Sequence, residues 1–304
     1  MINPKAIVQA LRPKQWTKNL LLFAALIFAE RYKDIEAVIA VIVGTGFFCL
    51  LSSAGYLVND LRDVEADRVH PKKKLRPIAS GRLPEGQARI LAVLLIVVGI
   101  AGSFALDLHN ARSAAGSPTF LQQWAFGITA TSYLAVTLSY TVFFKHIVLL
   151  DVMLIAAGFL LRAVAGAAAI PVESSAWFLT CTGFGALFLG LAKRLAELRL
   201  LEHGAGAHRP ILQEYSVHLL NQLIGIVTAC TLMAYALYTF KGPHGSGLMI
   251  TMPLVMYGMF RYLYLVDRHG EGGAPEHVLL GDRPLQICIF LFLAVAVVML
   301  QLGG

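Results

Sequence analysis

Predominantly apolar stretches of about 20 residues, each long enough to cross the ~30 Å hydrocarbon layer of a bilayer, recur along almost the whole chain. Only 14% of the 304 residues are charged, whereas roughly a quarter of the residues of a soluble domain are charged. A chain with so few charges cannot hide its apolar surface in one aqueous core. The solvent for most of the protein is therefore predicted to be lipid.

The apolar stretches are expected to form helices, because unpaired backbone amides are not tolerated in hydrocarbon. An outer-membrane barrel would alternate apolar and polar residues, but segment Ile90–Ile100 is continuously apolar. The expected fold is an all-α bundle of about nine transmembrane helices, a single domain over residues 1–304. The predicted spans are residues 16–30, 35–58, 87–107, 120–142, 147–170, 176–193, 217–240, 246–266 and 284–302. Segment 5–18 has a second interpretation, as a basic amphipathic helix that lies along the membrane surface.

The distribution of basic residues predicts the orientation. If the N-terminus is inside, the connections 59–86, 143–146, 194–216 and 267–283 are cytoplasmic. These connections and the N-terminal tail hold most of the 25 Lys and Arg residues, as the positive-inside rule requires. Topology then explains the net charge of +7, and no nucleic-acid partner is expected. The sequence predicts a multi-pass protein of the inner (plasma) membrane, with its N-terminus and active site cytoplasmic, and it leaves homo-oligomer formation open.

The most informative polar segment follows the second predicted span. Asp60, Asp63 and Asp67 are spaced i, i+3, i+7, which places them on one face of a helix, whereas Glu65 points away. Three carboxylates on one face repel one another unless a cation neutralises them. Clustered hard oxygen ligands suit Mg²⁺, which bridges to substrate phosphates. The segment therefore predicts a Mg²⁺ site, and the simpler alternative is a solvated acidic helix end.

A basic segment follows the carboxylates and contains Arg76 and three consecutive lysines centred on Lys73. A polyphosphate substrate needs such residues, because Lys or Arg neutralises the oxygens that a metal does not contact. The lysines have an equally good explanation as positive-inside residues or contacts to anionic lipid. Arg76 is the stronger substrate-binding candidate, because the adjoining Pro77 and Gly81 indicate a shaped loop.

These residues resemble the first signature of the UbiA superfamily of intramembrane prenyltransferases. The matching pattern is Asn59-Asp-x-x-Asp63-x-x-x-Asp67, followed by Arg76-Pro-x-x-Ser-Gly81. The layout of the spans is compatible with that family over nearly the whole chain. The resemblance implies a fold of nine helices in which two polar inside loops cap a central cavity. It also implies that Mg²⁺ and the substrate diphosphate bind at one set of residues, Asn59, Asp60, Asp63 and Asp67.

One further feature matches the family and another departs from it. The segment Tyr140-x-x-x-x-Lys145 resembles the Tyr/Lys motif of the family, so both residues are candidates for substrate binding. Ordinary members carry a second Asp-rich motif, with a second metal, on the loop after the sixth span. Here Lys193 and Arg194 stand at that place, and Glu197 alone keeps an acidic charge. Cations in place of carboxylates favour a bare phosphate over a metal.

A diphosphate–metal site with a separate phosphate site fits phosphoribosyl diphosphate, which carries a diphosphate on C1 and a phosphate on C5. Segments 144–151, 158–166 and 175–188 also resemble the branch of the superfamily that transfers phosphoribose to a polyprenyl (decaprenyl) phosphate for cell-wall arabinan synthesis. The resemblance implies a Mg²⁺-dependent pentosyltransferase acting on these two substrates. The residues expected to act in catalysis are Asp60, Asp63, Asp67, Lys193 and Arg194. The alternatives are a prenyltransferase that moves an isoprenyl chain from its diphosphate to an aromatic or other acceptor, and a transporter of lipid-linked phosphate.

Arg162 lies in the middle of a predicted span, where an ionised side chain is costly and marks a functional site by default. Asp151 lies eleven residues earlier, so three helical turns place both on nearly the same face but about 16 Å apart, too far for direct pairing. The prediction is that Arg162 faces the bundle interior and helps to hold a phosphate or a carboxylate. The alternative is that backbone carbonyls neutralise it and that it only packs.

Overall fold

The computed structural model describes residues 4–71, 73–113, 119–202, 210–241, 245–269, 278 and 281–303. The described part of the chain is almost entirely helical and contains no β-strand, which confirms the all-α prediction. The α-helices are α1 (Pro4–Leu11), α2 (Phe23–Phe28), α3 (Ile35–Arg62), α4 (Val64–Val69), α5 (Glu85–Ser113), α6 (Phe120–Gln123), α7 (Ala125–Ser139), α8 (Leu150–Ala169), α9 (Ala176–Glu202), α10 (Val217–Lys241), α11 (Met252–His269) and α12 (Arg283–Gly303). Short 3₁₀-helices lie at Pro13–Leu22, Arg31–Lys33, Lys73–Leu75, Pro210–Glu214 and Gly245–Thr251, and Tyr140–Phe144 is a π-helix.

Eight helical segments of the described residues are long and apolar enough to cross a membrane. They coincide with the predicted spans from 35–58 to 284–302. Large apolar side chains lie on their outer faces; Ile90 and Phe290, for example, are 73% and 71% exposed. Such faces need an apolar solvent, and helical structure pairs backbone groups within the segment, as hydrocarbon requires. The chain is therefore a multi-pass membrane protein.

The first predicted span, 16–30, takes a different form. Residues Pro13–Leu22 form a 3₁₀-helix, and α2 continues from it. A rise of about 2 Å per residue in the first part and about 1.5 Å in the second gives a length of about 29 Å, close to the hydrocarbon thickness. Its polar groups pair with α3: Asn19 donates to Cys49 Sγ at 3.2 Å, and Trp16 donates to a serine hydroxyl. The expectation of about nine spans is thus approximately met in the described residues, with eight long apolar helical spans and this shorter mixed segment.

The chain divides into two compact units. The first comprises Met1–Phe144 and Leu161–Glu173, and the second comprises Lys145–Leu160 and Ser174–Gly304. Helix α8 contributes its first part to the second unit and its last part to the first. The prediction of a single domain over the whole chain stays a prediction.

The first unit is built around α3, which packs against α5 and α7. Phe48 is fully buried there, with its ring centroid 5.7 Å from that of Phe126 and 5.0 Å from that of Tyr133. The start of α7 is capped from α5, because the buried carboxylate of Asp107 accepts from the backbone N–H groups of Phe126 and Gly127 at 3.1 and 2.7 Å. This cap satisfies two of the backbone donors that a helix start leaves unpaired. The α3–α5–α7 core therefore fixes the position at which α3 ends, where the acidic motif lies.

The second unit is built around α9 and α10, which pack against each other; α11 packs against both, and α12 packs against α11. Its core contains Phe188 and Tyr262, whose ring centroids are 5.6 Å apart. Val152, at the start of α8, packs into the same core, close to Gly190 of α9. This close packing positions the end of α9, where Lys193 and Arg194 lie.

Among the glycines that the structure describes, Gly166 of α8 has the closest backbone contact, and it generates a stability prediction. A Cβ at this position would lie 2.1 Å from the carbonyl oxygen of Leu22, so Gly166→Ala forces the two backbones apart. We expect the free energy of unfolding to fall by about 1–3 kcal/mol. Gly46 of α3 is the matched control, because its Cβ position has no atom within 4 Å. Thermal unfolding in detergent measures both variants, and equal melting temperatures for Gly166→Ala and Gly46→Ala would contradict this packing.

Candidate active site

The acidic motif lies at the junction of α3 and α4. A single residue separates the two helices, Asp63, which has φ −93° and ψ 9°. Asp60 on α3 and Asp67 on α4 are 3% and 2% exposed, whereas Glu65 is exposed, as predicted. Asn59 and Asp63 are half-buried. The helical face predicted from the spacing is therefore interrupted at Asp63, yet it still buries two of its three carboxylates.

Two arginines neutralise the buried carboxylates. Nη1 of Arg76 donates to Asp60 Oδ1 at 3.0 Å and to Asp67 Oδ2 at 2.6 Å. Nη2 of Arg12 donates to the same Asp60 oxygen at 2.6 Å. Charge-assisted bonds of this length are the strong ones, and they offset the cost of burying the two carboxylates. One guanidinium nitrogen thus joins two carboxylates seven residues apart in sequence.

Sequence reasoning does not find Arg12, because it lies 48 residues from Asp60 and has an ordinary explanation as a positive-inside residue. It links α1 to the following 3₁₀-helix in a left-handed conformation, with φ 52° and ψ 61°, which is rare for a residue other than glycine. Its guanidinium lies 4.8 Å from the ring centroid of Tyr56, and Ser53 donates to the carbonyl of Leu11 at 2.9 Å. These contacts dock the N-terminal segment along α3 and place Arg12 at the acidic motif.

The loop between α4 and α5 is ordered by its own hydrogen bonds, as Pro77 and Gly81 predicted. The hydroxyl of Ser80 donates to the carbonyl of Arg76 at 2.8 Å. Gly81 has φ 75°, in the region that favours glycine. Arg76 is thus held from both sides, by the turn that carries it and by the carboxylates it contacts.

The same loop carries the three consecutive lysines that follow the motif in sequence. Lys73 is half-buried, and its backbone N–H donates to Nδ1 of His70 at 3.1 Å. Burial lowers the pKa of His70, and the charge of Lys73 acts in the same direction. The imidazole is therefore neutral at pH 7 and can accept this bond. The neighbouring Lys72 lies outside the described residues, and the role of Lys73 in substrate binding stays a prediction.

The Tyr/Lys motif falls at the end of α7. Tyr140 is half-buried and begins the π-helix Tyr140–Phe144. Such π-turns occur frequently at functional sites. Lys145 follows directly, is also half-buried, and belongs to the second unit. The structure gives both residues a defined place, and their contacts to substrate stay predictions.

The two basic residues on α9, Lys193 and Arg194, lie in different environments. Arg194 is 1% exposed and donates from Nε to Asp151 at 2.8 Å and from Nη1 to Glu197 at 2.6 Å. Asp151 is fully buried and accepts a second bond from the hydroxyl of Tyr215 at 2.8 Å. Lys193 is half-buried. The sequence does not indicate the Asp151–Arg194 pair, because 43 residues separate its members.

Arg162 is buried within the first unit, as predicted for a residue that faces the bundle interior. Its Nε donates to Asn19 Oδ1 at 2.8 Å and its Nη2 donates to the hydroxyl of Tyr133 at 2.7 Å. Its guanidinium carbon also lies 4.6 Å from the ring centroid of Tyr133. An amide oxygen, a hydroxyl and an aromatic face therefore surround this cation. Its binding of a phosphate or a carboxylate stays a prediction.

The donors at the end of α3 fit Mg²⁺ in kind. In the described part of the chain, no three His, Cys, Asp or Glu side chains lie close enough together to hold a metal ion. Asp60 and Asp67 nevertheless converge on one nitrogen of Arg76. A divalent ion would be drawn to the same concentration of hard, negative oxygens. The guanidinium groups of Arg76 and Arg12 supply the neutralising charge in this arrangement.

Buried carboxylates and arginines that meet at the end of a membrane helix mark a functional site. The chain belongs to the UbiA prenyltransferase family, whose profile matches residues 20–280. It is 38% identical over 288 residues to the decaprenyl-phosphate phosphoribosyltransferase of Corynebacterium glutamicum, covering 92% of this chain and 82% of that protein. The protein of the same name from Mycobacterium tuberculosis is 36% identical over 294 residues, which cover 95% of this chain and 92% of that protein.

A solved structure shares the fold. The UbiA homolog from Archaeoglobus fulgidus bound to GPP and Mg²⁺ superimposes with a TM-score of 0.69, over 97% of this chain and 99% of that chain. The two sequences are 16% identical. The likeness at this identity establishes the common helical architecture and confirms the fold that the sequence motifs implied.

The bridge made by Arg76 generates a stability prediction. Arg76→Gln removes the positive charge beside two buried carboxylates, so we expect the free energy of unfolding to fall by about 2 kcal/mol. The loss stays below the range for a fully buried pair, because the Arg76 side chain is itself 28% exposed. Arg89→Gln is the control: this arginine is 69% exposed and pairs with Glu85 on the surface, so the change costs little.

Thermal unfolding of the purified variants measures the difference. The double variant Arg76→Gln/Asp67→Asn should recover part of the loss, because it removes one of the buried charges that Arg76 neutralises. If Arg76→Gln melts at the temperature of Arg89→Gln, the bridge does not stabilise the motif.

Proposed function

We propose that this chain is a Mg²⁺-dependent pentosyltransferase that transfers the 5-phosphoribosyl group of phosphoribosyl diphosphate to a polyprenyl phosphate. Its product is polyprenylphosphoryl-5-phosphoribose, a precursor for cell-wall arabinan, and diphosphate is released. The observation that carries the proposal is the 36–38% identity to two decaprenyl-phosphate phosphoribosyltransferases over 92–95% of the chain. The fold alone would not choose this chemistry, because one fold hosts many reactions.

The reaction forms a bond between ribose C1 and a phosphate oxygen of the lipid, and it breaks the bond between C1 and the diphosphate. A phosphate monoester is already nucleophilic at pH 7, so the site needs no dedicated general base. The site must instead orient the donor and stabilise the charge that develops at C1 and on the leaving diphosphate. Arg76 and Arg12 are suited to that task, because both are partly exposed at the acidic motif, at 28% and 27% of their side chains.

We assign the Mg²⁺ ligands to the polar end of α3 and the start of α4, namely Asn59, Asp60, Asp63 and Asp67. The kind of donor and the Mg²⁺ in the solved Archaeoglobus fulgidus homolog support this assignment. Bound Mg²⁺ would neutralise the diphosphate as it leaves. The chain's own contribution is to bury Asp60 and Asp67 on one side of the junction, so that their negative charge is concentrated there.

The remaining roles are proposed from the sequence motifs. We assign the basic pair Lys193 and Arg194 to the part of the site that takes the 5-phosphate, and the cationic replacement of the second acidic motif supports this assignment. Further substrate-binding residues are proposed at Lys73, Arg76, Tyr140, Lys145, Arg162 and Glu197. The N-terminus and the site are proposed to be cytoplasmic, and the excess of basic residues in the connections on that side supports this orientation.

The choice of donor tests the function directly. Purified protein receives polyprenyl phosphate, Mg²⁺ and either labelled phosphoribosyl diphosphate or a labelled prenyl diphosphate, and mass spectrometry identifies the lipid product. We expect phosphoribosyl lipid from the first donor and no transfer from the second. The second candidate function, prenyl transfer, is favoured by the GPP bound to the solved homolog. Transfer of the prenyl chain alone would establish that function in place of the first.

The acidic motif gives the matched mutational test. Asp63→Asn removes a charge proposed to hold Mg²⁺, so we expect kcat to fall about 100-fold or more. Glu65→Gln is the control, because this exposed side chain pairs with Arg68 and points away from the motif; its rate should stay within about twofold of wild type. Removal of Mg²⁺ with a chelator should abolish wild-type transfer. Wild-type turnover by Asp63→Asn would refute the assignment of the metal ligands.

A further inference from the structure

Four side chains of the second unit form one buried hydrogen-bonded cluster. Arg194 donates to Asp151 and to Glu197, and Tyr215 donates to the other oxygen of Asp151. The cluster therefore joins the first turn of α8, the end of α9 and the segment that precedes α10. These three donor–acceptor distances are between 2.6 and 2.8 Å, so the three bonds are well formed.

The burial of Arg194 argues against direct contact with substrate. It is the largest side chain of the described core with less than 2% exposure. Its Nε and Nη1 both already donate to carboxylates. A phosphate that displaced Asp151 would leave a fully buried carboxylate without the charge of its partner, which is costly. The positive charge of Arg194 therefore neutralises Asp151, and we do not expect it to bind the substrate phosphate.

The backbone at the start of α8 is fixed by the same cluster. Leu149 has φ 67°, a conformation that residues other than glycine rarely adopt. Its N–H donates to the hydroxyl of Tyr215 at 2.8 Å. Burial raises the pKa of Tyr215 to about 12, so the hydroxyl keeps the proton that it donates to Asp151. Strained residues of this kind persist only where surrounding contacts hold them.

We propose that Asp151, Arg194 and Tyr215 are positioning residues for the end of α9, and that Lys193 is the α9 residue that contacts the substrate phosphate. Lys193 precedes Arg194 and points about 100° away from it around the helix axis. It is half-buried, whereas Arg194 is 1% exposed, so Lys193 is the more accessible of the two. This inference deepens the proposed function and rests on it for the presence of a phosphate on the substrate.

Arginine and lysine differ in a way that separates the two roles. Arg194 bonds two carboxylates with two different nitrogens, a forked geometry that a lysine cannot reproduce. A phosphate, by contrast, accepts either cation, because lysine binds it as a point charge. If Arg194 positions α9 through its carboxylate partners, Arg194→Lys damages that contact. If Arg194 binds the phosphate, the same change largely preserves phosphate binding.

The first experiment compares Arg194→Lys with Lys193→Gln. For Arg194→Lys we expect a melting temperature lower by roughly 5 °C or more and a kcat lower by roughly tenfold, with the donor KM within about threefold of wild type. For Lys193→Gln we expect an unchanged melting temperature and a donor KM raised by about tenfold or more. A raised KM with normal stability in Arg194→Lys would overturn the division of roles.

The second experiment removes both members of the pair. Asp151→Asn/Arg194→Met eliminates both buried charges and keeps an oxygen that can accept from Tyr215. Such neutral replacements are often tolerated where a single change is not. We expect the double variant to be more stable than Arg194→Met alone and to keep a donor KM within about threefold of wild type. If the double variant binds donor as weakly as Lys193→Gln, then Arg194 contacts the phosphate and the inference is wrong.

Two controls complete the design. Arg199→Gln changes an arginine five residues further along α9, whose partner Asp267 is 65% exposed, so stability should change little and KM should not change. Binding of ribose 5-phosphate, measured by calorimetry without turnover, separates this inference from the proposed function. If the wild type binds ribose 5-phosphate, Lys193→Gln does not, and no phosphoribosyl product forms, the proposed function is wrong and the inference stands. If Lys193→Gln binds ribose 5-phosphate normally and turns over at the wild-type rate, the inference is wrong and the proposed function stands.

Discussion

A carboxylate buried at the end of a membrane helix needs a hydrogen-bonding or charged partner, and in both polar clusters of this protein that partner is an arginine. An isolated ionised group in a medium of low polarity is very unfavourable. In the first unit Arg76 and Arg12 neutralise Asp60 and Asp67. In the second unit Arg194 neutralises Asp151. The helix ends and loops that carry these arginines are held in place by the pairs, so charge pairing and fold support each other.

The two clusters use the same interaction, but they differ in how much of the arginine side chains is exposed. At the acidic motif the arginine side chains keep 27% and 28% of their surface exposed, so a charged substrate can exchange contacts with them. In the α9 cluster the side chains of Arg194 and Asp151 are 2% and 0% exposed, and the pair acts as part of the core. A pair open to solvent suits binding, because its partners can be replaced. A sealed pair suits positioning, because replacing either partner leaves a buried charge.

Much of the architecture was predictable because hydrocarbon imposes simple rules on sequence. Length and continuous apolarity located eight spans, and the spacing of Asp60 and Asp67 placed both on one buried side. The first span was harder, because hydropathy does not distinguish a 3₁₀-helix from an α-helix. The role of Arg12 could not be predicted, because nothing in its own segment of the sequence indicates a contact with Asp60. Its position depends on how the N-terminal segment docks along α3.

The sequence by itself determined the class of protein, the family and the residues that carry charge. These properties depend on composition, on the length of apolar runs and on spacings within one helix, all of which are local. Only the tertiary structure decided which cation pairs with which acid. Arg12 and Asp60 are 48 residues apart and Arg194 and Asp151 are 43 apart. Distances between such residues follow from the packing of different helices, and no periodicity along the chain encodes them.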